Sequence, residues 1–201
     1  MPGLRLPRSR AVFEALVPAV VEQKVTGLEA GRVRRRMVLA FGEPAPGPPE
    51  VATGVFVPPA PERLATVPYF EFHPLGLERR RAEAIARLAG RASALERLAA
   101  GPPDVAMARL QSLPGVGPWT AAETTRIALG DPDAVSVGDY HLPNLVCWAL
   151  AGEPRGDDGR MLELLAPYAG QRARVQRLLE AAGKAAPRYG PHMPARSIER
   201  L

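Results

Sequence analysis

The 201-residue chain carries 26 lysines and arginines against 21 aspartates and glutamates, a formal net charge of +5. Its length suits one domain, whole or divided into two lobes, and the basic excess suits a polyanionic partner. One cysteine, Cys147, excludes an internal disulfide, a cysteine-rich zinc site and a four-cysteine iron–sulfur cluster, and the histidines His73, His141 and His192 are too scattered to suggest a metal site.

The basic excess is carried almost entirely by arginine, since Lys24 and Lys184 are the only lysines. Arginine, alanine, glycine and proline are abundant together, which a GC-rich genome would also produce, so charge supports a DNA-facing surface only modestly. The start of the chain is basic, but Glu14, Pro18 and Glu22 interrupt the apolar run after it, and neither a signal peptide nor a membrane span is expected. The chain reads as cytoplasmic and, through DNA, nucleoid-associated.

Almost every periodic segment predicts a helix. Residues 11–24 place Val12, Phe13, Leu16, Val17, Val20 and Val21 at helical spacing, with Pro18 as a kink or restart. Thr26-Gly-Leu-Glu29 is a capping box opening a helix that ends near Gly42. Its Arg32, Arg34, Arg35 and Arg36 read first as a solvated face and second as phosphate contacts. The proline-dense stretch 43–61 predicts an extended loop, with a strand-like piece within 51–57. A short helix over 62–66 and a longer one over 77–89 come next, the latter turning Glu78, Arg79, Arg80 and Arg81 outward. Between them, Tyr69, Phe70 and Phe72 read equally as core filler and as pocket lining. Ser93-Ala-Leu-Glu96 reads as a second capping box, in a helix that Gly101 stops. Further helices are expected at 104–111, capped by Asp104, at 118–129, and near 141–151, 157–166 and 170–182. The tail from Pro187, with Arg188, His192 and Arg196, reads as a surface arm. There is no internal repeat, and the expected architecture is all-α with short connections.

The most informative stretch is Leu113-Pro-Gly-Val-Gly-Pro-Trp-Thr-Ala121. Pro114 and Gly115 end one helix; Gly117 and Pro118 begin the next, with Pro118 at a first-turn position where its missing N–H costs nothing. The glycines allow positive φ and close approach of a ligand. The N–H groups from Gly115 to Trp119 then face outward at a helix start, an arrangement that binds anions and grips phosphate without reading a base. A bare Gly-x-Gly would read as a simple helical corner; the longer string points to DNA.

That string resembles the DNA-binding hairpin of the helix-hairpin-helix DNA glycosylases. Asp139, in Gly138-Asp139-Tyr140, would by itself read as a helix N-cap. Its place beyond the hairpin and before an aromatic residue matches the family's catalytic aspartate, so the resemblance implies that role. Phe13-Glu-Ala-Leu-Val-Pro-Ala-Val-Val-Glu-Gln-Lys-Val25 is similar to the family's first helix, ending in a glutamine, Gln23, and a wedge position occupied by Lys24 instead of the usual apolar or amide side chain. Leu75-Gly-Leu-Glu-Arg-Arg-Arg-Ala-Glu-Ala-Ile85 looks like the helix preceding the hairpin unit.

The resemblance implies a two-lobed all-α fold with the active-site cleft between the lobes. One domain would span 1–201. One lobe, from about 30–135, would carry the hairpin at 104–129; the other would combine the N-terminal helix with about 139–201. The strand-rich amino-terminal domain of some relatives is not expected. Relatives that also cut the backbone carry a lysine where this chain has Trp119, so a monofunctional enzyme without a lyase step is implied. Trp119 suits the 3-methyladenine DNA glycosylase II branch, lining the base pocket with Tyr140; the alternative for Trp119 is a core residue. Gly115, Val116, Gly117, Trp119, Thr120, Gln23 and Lys24 are the expected DNA-binding residues. The expected partner is double-stranded DNA with a damaged base, met by a monomer. No cofactor or metal is expected, although the resemblance leaves room for a monovalent cation on the hairpin carbonyls. Glu123 is the runner-up carboxylate, and His141, Asn144 and Trp148 read as packing or support. Position 177, where some relatives hold an aromatic pocket residue, is arginine. The implied function is hydrolysis of the N-glycosidic bond of alkylated bases in base excision repair. A non-catalytic DNA-binding protein, and a glycosylase for oxidised or deaminated bases, are the alternatives.

Overall fold

A computed structural model describes residues 3–183 and 185–187. The tail residues Arg188, His192 and Arg196, expected to form a surface arm, lie outside the described residues. The helices are α1 (Val12–Val21), α2 (Gly27–Phe41), α3 (Pro49–Ala52), α4 (Pro61–Thr66), α5 (Tyr69–Phe72), α6 (Arg79–Ala89), α7 (Ala92–Glu96), α8 (Pro103–Gln111), α9 (Pro118–Ala128), α10 (Leu142–Ala151), α11 (Asp158–Leu165) and α12 (Arg172–Ala181). The proline-dense stretch is more structured than its composition suggests. It holds one antiparallel pair, β1 (Glu43–Pro44) with β2 (Phe56–Val57), and α3 lies between them. The strand-like piece expected within 51–57 is therefore only two residues long, because Val51 and Ala52 close a helical turn started by Pro49.

Two apolar clusters organise the chain. The larger draws Val12, Leu16 and Val20 of α1 together with Leu64, Phe72, Leu77, Ile85, Leu110 and Ala121, all at most 1% exposed. Phe41 meets Phe72 edge-on, with ring centroids 5.4 Å apart. The smaller joins Leu142 and Val146 of α10 with Met161 and Leu165 of α11. The N-terminal helix, expected with the C-terminal helices, belongs instead to the larger cluster and packs on α9, α6, α2 and α7. Its apolar face is wide enough to be surrounded, and Pro18 sits inside it without breaking it.

Both ends of α1 are completed by distant side chains. Ala11 at the N-cap offers no side-chain acceptor. Glu96 of α7 supplies one, taking the Val12 N–H on Oε2 and the Phe13 N–H on Oε1, each at 2.9 Å. Four backbone donors at a helix start need partners, and an acidic group there also suits the helix dipole. This corrects the second capping box: Ser93 does not cap α7, whose N-cap is Arg91, and Glu96 serves another helix. At the other end, Arg81, expected in solvent, is 5% exposed and donates from Nη1 to the Val21 carbonyl. The first capping box is present in full, with Thr26 Oγ1 accepting from the Glu29 N–H and Glu29 accepting from the Thr26 N–H. Asp104 is not the cap of α8, because Pro102 holds that position and Pro103 opens the helix.

Candidate active site

The hairpin joins α8 to α9. Gly115 at its tip has φ +91°, which favours glycine, and a Cβ there would crowd the Ala84 Cβ at 3.1 Å. Gly117 differs from expectation: its φ of −93° is ordinary, and what it contributes is openness, since an added Cβ would meet nothing within 4 Å. Val116 is buried at 5% and anchors the turn from below. Pro118 takes the first helical position. Among the described residues none accepts a hydrogen bond from the N–H groups of Gly117, Trp119 or Thr120. Those donors point from the start of an eleven-residue helix, the geometry that favours a phosphate.

Gln23 ties this hairpin to α1. Its amide nitrogen donates to the Gly115 carbonyl at 2.9 Å and to Thr120 Oγ1 at 2.8 Å. Lys24, the next residue, is exposed and has a φ of +54°, a left-handed conformation that a non-glycine residue adopts at a cost of about 1 kcal/mol or more. The bonds of Gln23 hold the chain in that turn, so the lysine stands at a fixed corner beside the hairpin.

Asp139 lies beyond α9, half-buried. Its Oδ1 accepts the N–H groups of His141 at 2.7 Å and Leu142 at 2.9 Å at the start of α10, although the N-cap position expected for Asp139 is held by His141. Its Oδ2 accepts the indole N–H of Trp119 at 2.9 Å. The two residues singled out from sequence for the chemistry are thus in direct contact, and all three bonds use the carboxylate as an acceptor. Tyr140 does not join them: it is 86% exposed, with its ring edge-on to His141 at 4.9 Å. Phe72 is core, Phe70 is exposed, and Tyr69 receives the Arg79 guanidinium over its ring at 4.4 Å. Arg177 pairs with Glu180 on its own helix.

Glu123, one turn after Trp119 on α9, is committed within the protein. It pairs with Arg126 and accepts a hydrogen bond from Ser136 Oγ. Glu22 stands close to this pair. Burial pushes its carboxyl above the ordinary range; Arg34, 2.9 Å away, opposes that shift and the Glu123 charge adds to it. Asn144 accepts the Gly156 N–H at 3.0 Å, a support role as expected. Sequence reasoning missed Asp158, which accepts the Gly138 N–H, and Asp133, which holds the loop before it. The only signal for Asp158 was its place at a predicted helix start; Asp133, in the loop between two predicted helices, gave none.

The chain has the helical fold of solved DNA glycosylases. The structure of 3-methyladenine DNA glycosylase from Archaeoglobus fulgidus matches it with a TM-score of 0.74 at 24% identity, over 86% of this chain and 58% of that one. That of the 3-methyladenine DNA glycosylase of Schizosaccharomyces pombe, in complex with abasic DNA, matches with a TM-score of 0.72 at 18% identity, over 91% and 85%. In sequence the chain is similar to the 3-methyladenine DNA glycosylase II branch of the helix-hairpin-helix superfamily. It is 36% identical to DNA-3-methyladenine glycosylase 2 of Escherichia coli over 122 residues, 60% of this chain and 42% of that protein. The chain spans less than half the length of the curated relatives it matches. No protein-family model matches it.

Proposed function

We propose that the chain is a monofunctional DNA glycosylase that hydrolyses the N-glycosidic bond of alkylated bases, of the 3-methyladenine type, in base excision repair. The observation that carries this reading is the carboxylate of Asp139. It is fixed by the start of α10 and by Trp119, which stands in the first turn of the helix that opens on the hairpin. The hairpin N–H groups and the basic surface would hold duplex DNA as a monomer, gripping phosphate and leaving base identity to the pocket.

Breaking an N-glycosidic bond builds positive charge on the deoxyribose. An ionised Asp139 stabilises that charge or orients the attacking water. A second carboxylic acid, which hydrolysis of a sugar–oxygen bond requires, is dispensable for an alkylated purine, because the ring already carries positive charge and leaves readily. The face of Trp119 attracts such a cationic ring. The base must first leave the stack, at a cost of a few kcal/mol. Trp119 offers no amine to attack the sugar, which supports hydrolysis without strand cleavage. The proposed chemistry uses no cofactor.

The test is release of free base from methylated duplex DNA, followed by chromatography. Wild-type protein should release 3-methyladenine and leave strands intact until alkali is added. Asp139→Asn should release it roughly 10²–10³-fold more slowly while still binding the duplex. Binding by both proteins with release by neither would instead establish a non-catalytic DNA-binding protein, the reading that Lys24 and Arg177 favour. Release confined to oxidised or deaminated bases would move the substrate class.

A further inference from the structure

We infer that two carboxylates bonded to the turn before Asp139, Glu123 and Asp158, are positioning residues that aim Asp139; this rests on the proposed reaction. The turn leading to Asp139 is fastened on both sides. On the α9 side, Ser136 is 1% exposed and its hydroxyl donates to Glu123, which Arg126 holds in turn. The Ser136 carbonyl accepts the Asp139 N–H at 3.2 Å, so the serine pinned by Glu123 is also the residue against which the Asp139 backbone rests. On the α11 side, the Gly138 N–H donates to both carboxylate oxygens of Asp158, at 3.1 and 3.0 Å. Gly138 has φ +89° and an added Cβ would meet nothing, so packing does not hold it there. The acceptor oxygens of Asp158 do, and a hydrogen bond is directional where burial is not.

The consequence is geometric. α9 carries both Trp119, which grips the Asp139 carboxylate, and Glu123, which grips the serine three residues before it. Positions four apart share one helix face, so one rigid element sets both the side chain and the turn behind it. Asp158 closes the arrangement from the other core. A reactive group displaced by about 1 Å loses on the order of 10²-fold in rate, so these outer bonds matter although they are remote from the bond that breaks.

The test uses Asp158→Ala, Asp158→Asn and Ser136→Ala in the full chain, with two measurements. Asparagine keeps an oxygen that can accept the Gly138 N–H; alanine does not. Under single-turnover conditions Asp158→Ala and Ser136→Ala should slow base release by about ten- to a hundredfold. Asp158→Asn should stay within about threefold of wild type, and the affinity of all three for abasic-site DNA should be unchanged within about twofold. Independently of activity, the indole N–H resonance of Trp119 reports the bond to Asp139. The chain has two tryptophans, so Trp119→Phe assigns that resonance. It should move in Asp158→Ala and Ser136→Ala and stay in place in Asp158→Asn. An indole signal untouched by all three variants, or equal rate losses for Asp158→Ala and Asp158→Asn, overturns the inference. Absence of base release by the wild type would defeat the proposed reaction instead, and the indole measurement would still decide the positioning.

Discussion

The hairpin's second helix meets the Asp139 turn through the Trp119 indole and Glu123, yet the two regions are held by different forces. The hairpin rests on the larger core: Leu110, Val116 and Ala121 are buried beneath it, and Gln23 adds the two polar fastenings. The Asp139 side packs only Val135 and Val137 on the smaller cluster and adds several charged hydrogen bonds. Asp133 accepts the N–H groups of Gly170 and Arg172 at 2.9 and 3.0 Å and pairs with the Arg172 guanidinium. Asp158 holds Gly138, and Glu123 holds Ser136. Apolar burial is non-directional and tolerates small shifts; a carboxylate bonded to a particular N–H does not. Gripping a phosphate backbone asks only for a firm base, whereas a carboxylate that must meet one sugar needs directional restraint.

That contrast can be broken experimentally. The largest effect is expected from Leu110→Ala, which empties a fully buried site in α8. It should cost about 3 kcal/mol in denaturant unfolding and weaken DNA binding with little change in the rate of base release once bound. Next is Asp133→Ala, at about 2 kcal/mol. The hydrogen bonds and charge of Arg172 hold the Asp133 carboxyl below its usual range. Its contribution is therefore complete above the unfolded-chain value of about 3.9 and fades as pH falls through the lower folded value. Stability measured from about pH 6 downward should lose that acid-dependent component in Asp133→Ala; an identical acid profile in both proteins would show that the pair contributes nothing. Gly115→Ala is expected to cost about 1–2 kcal/mol, from its left-handed φ and the Ala84 contact, and to lower duplex affinity. The smallest effect belongs to Thr26→Ala. Loss of its capping box should cost about 1 kcal/mol and alter neither binding nor release, which makes it the control for general destabilisation.

The same division separates the legible from the hidden in the sequence. Helices with a strong apolar period and local caps are legible, as is the hairpin; the bond from the Trp119 indole to Asp139 is not, because it joins residues 20 apart in the chain. Hidden were the features made by residues far apart in the chain. Nothing local distinguishes Glu96 as the cap of α1 from Glu96 as part of a box with Ser93. Arg81 looks solvent-facing in its charged run until α1 lays the Val21 carbonyl over it. The neighbours of α1 are hidden because a wide apolar face does not say which helices surround it. Adjacency to Asp139 suggests Tyr140 as a companion of Trp119, but consecutive residues need not point the same way, and its ring faces solvent.

The Glu96 bonds to Val12 and Phe13 carry one more consequence. They span 84 and 83 positions of chain, so the first turn of the central helix is completed only after α7 has arrived. Contacts between residues so distant in sequence close slowly, because the intervening loop must lose its freedom first. The opening turn of α1 should therefore be among the last amides to gain protection during refolding. In Glu96→Gln, Val12 and Phe13 should exchange with deuterium sooner than the middle of their own helix.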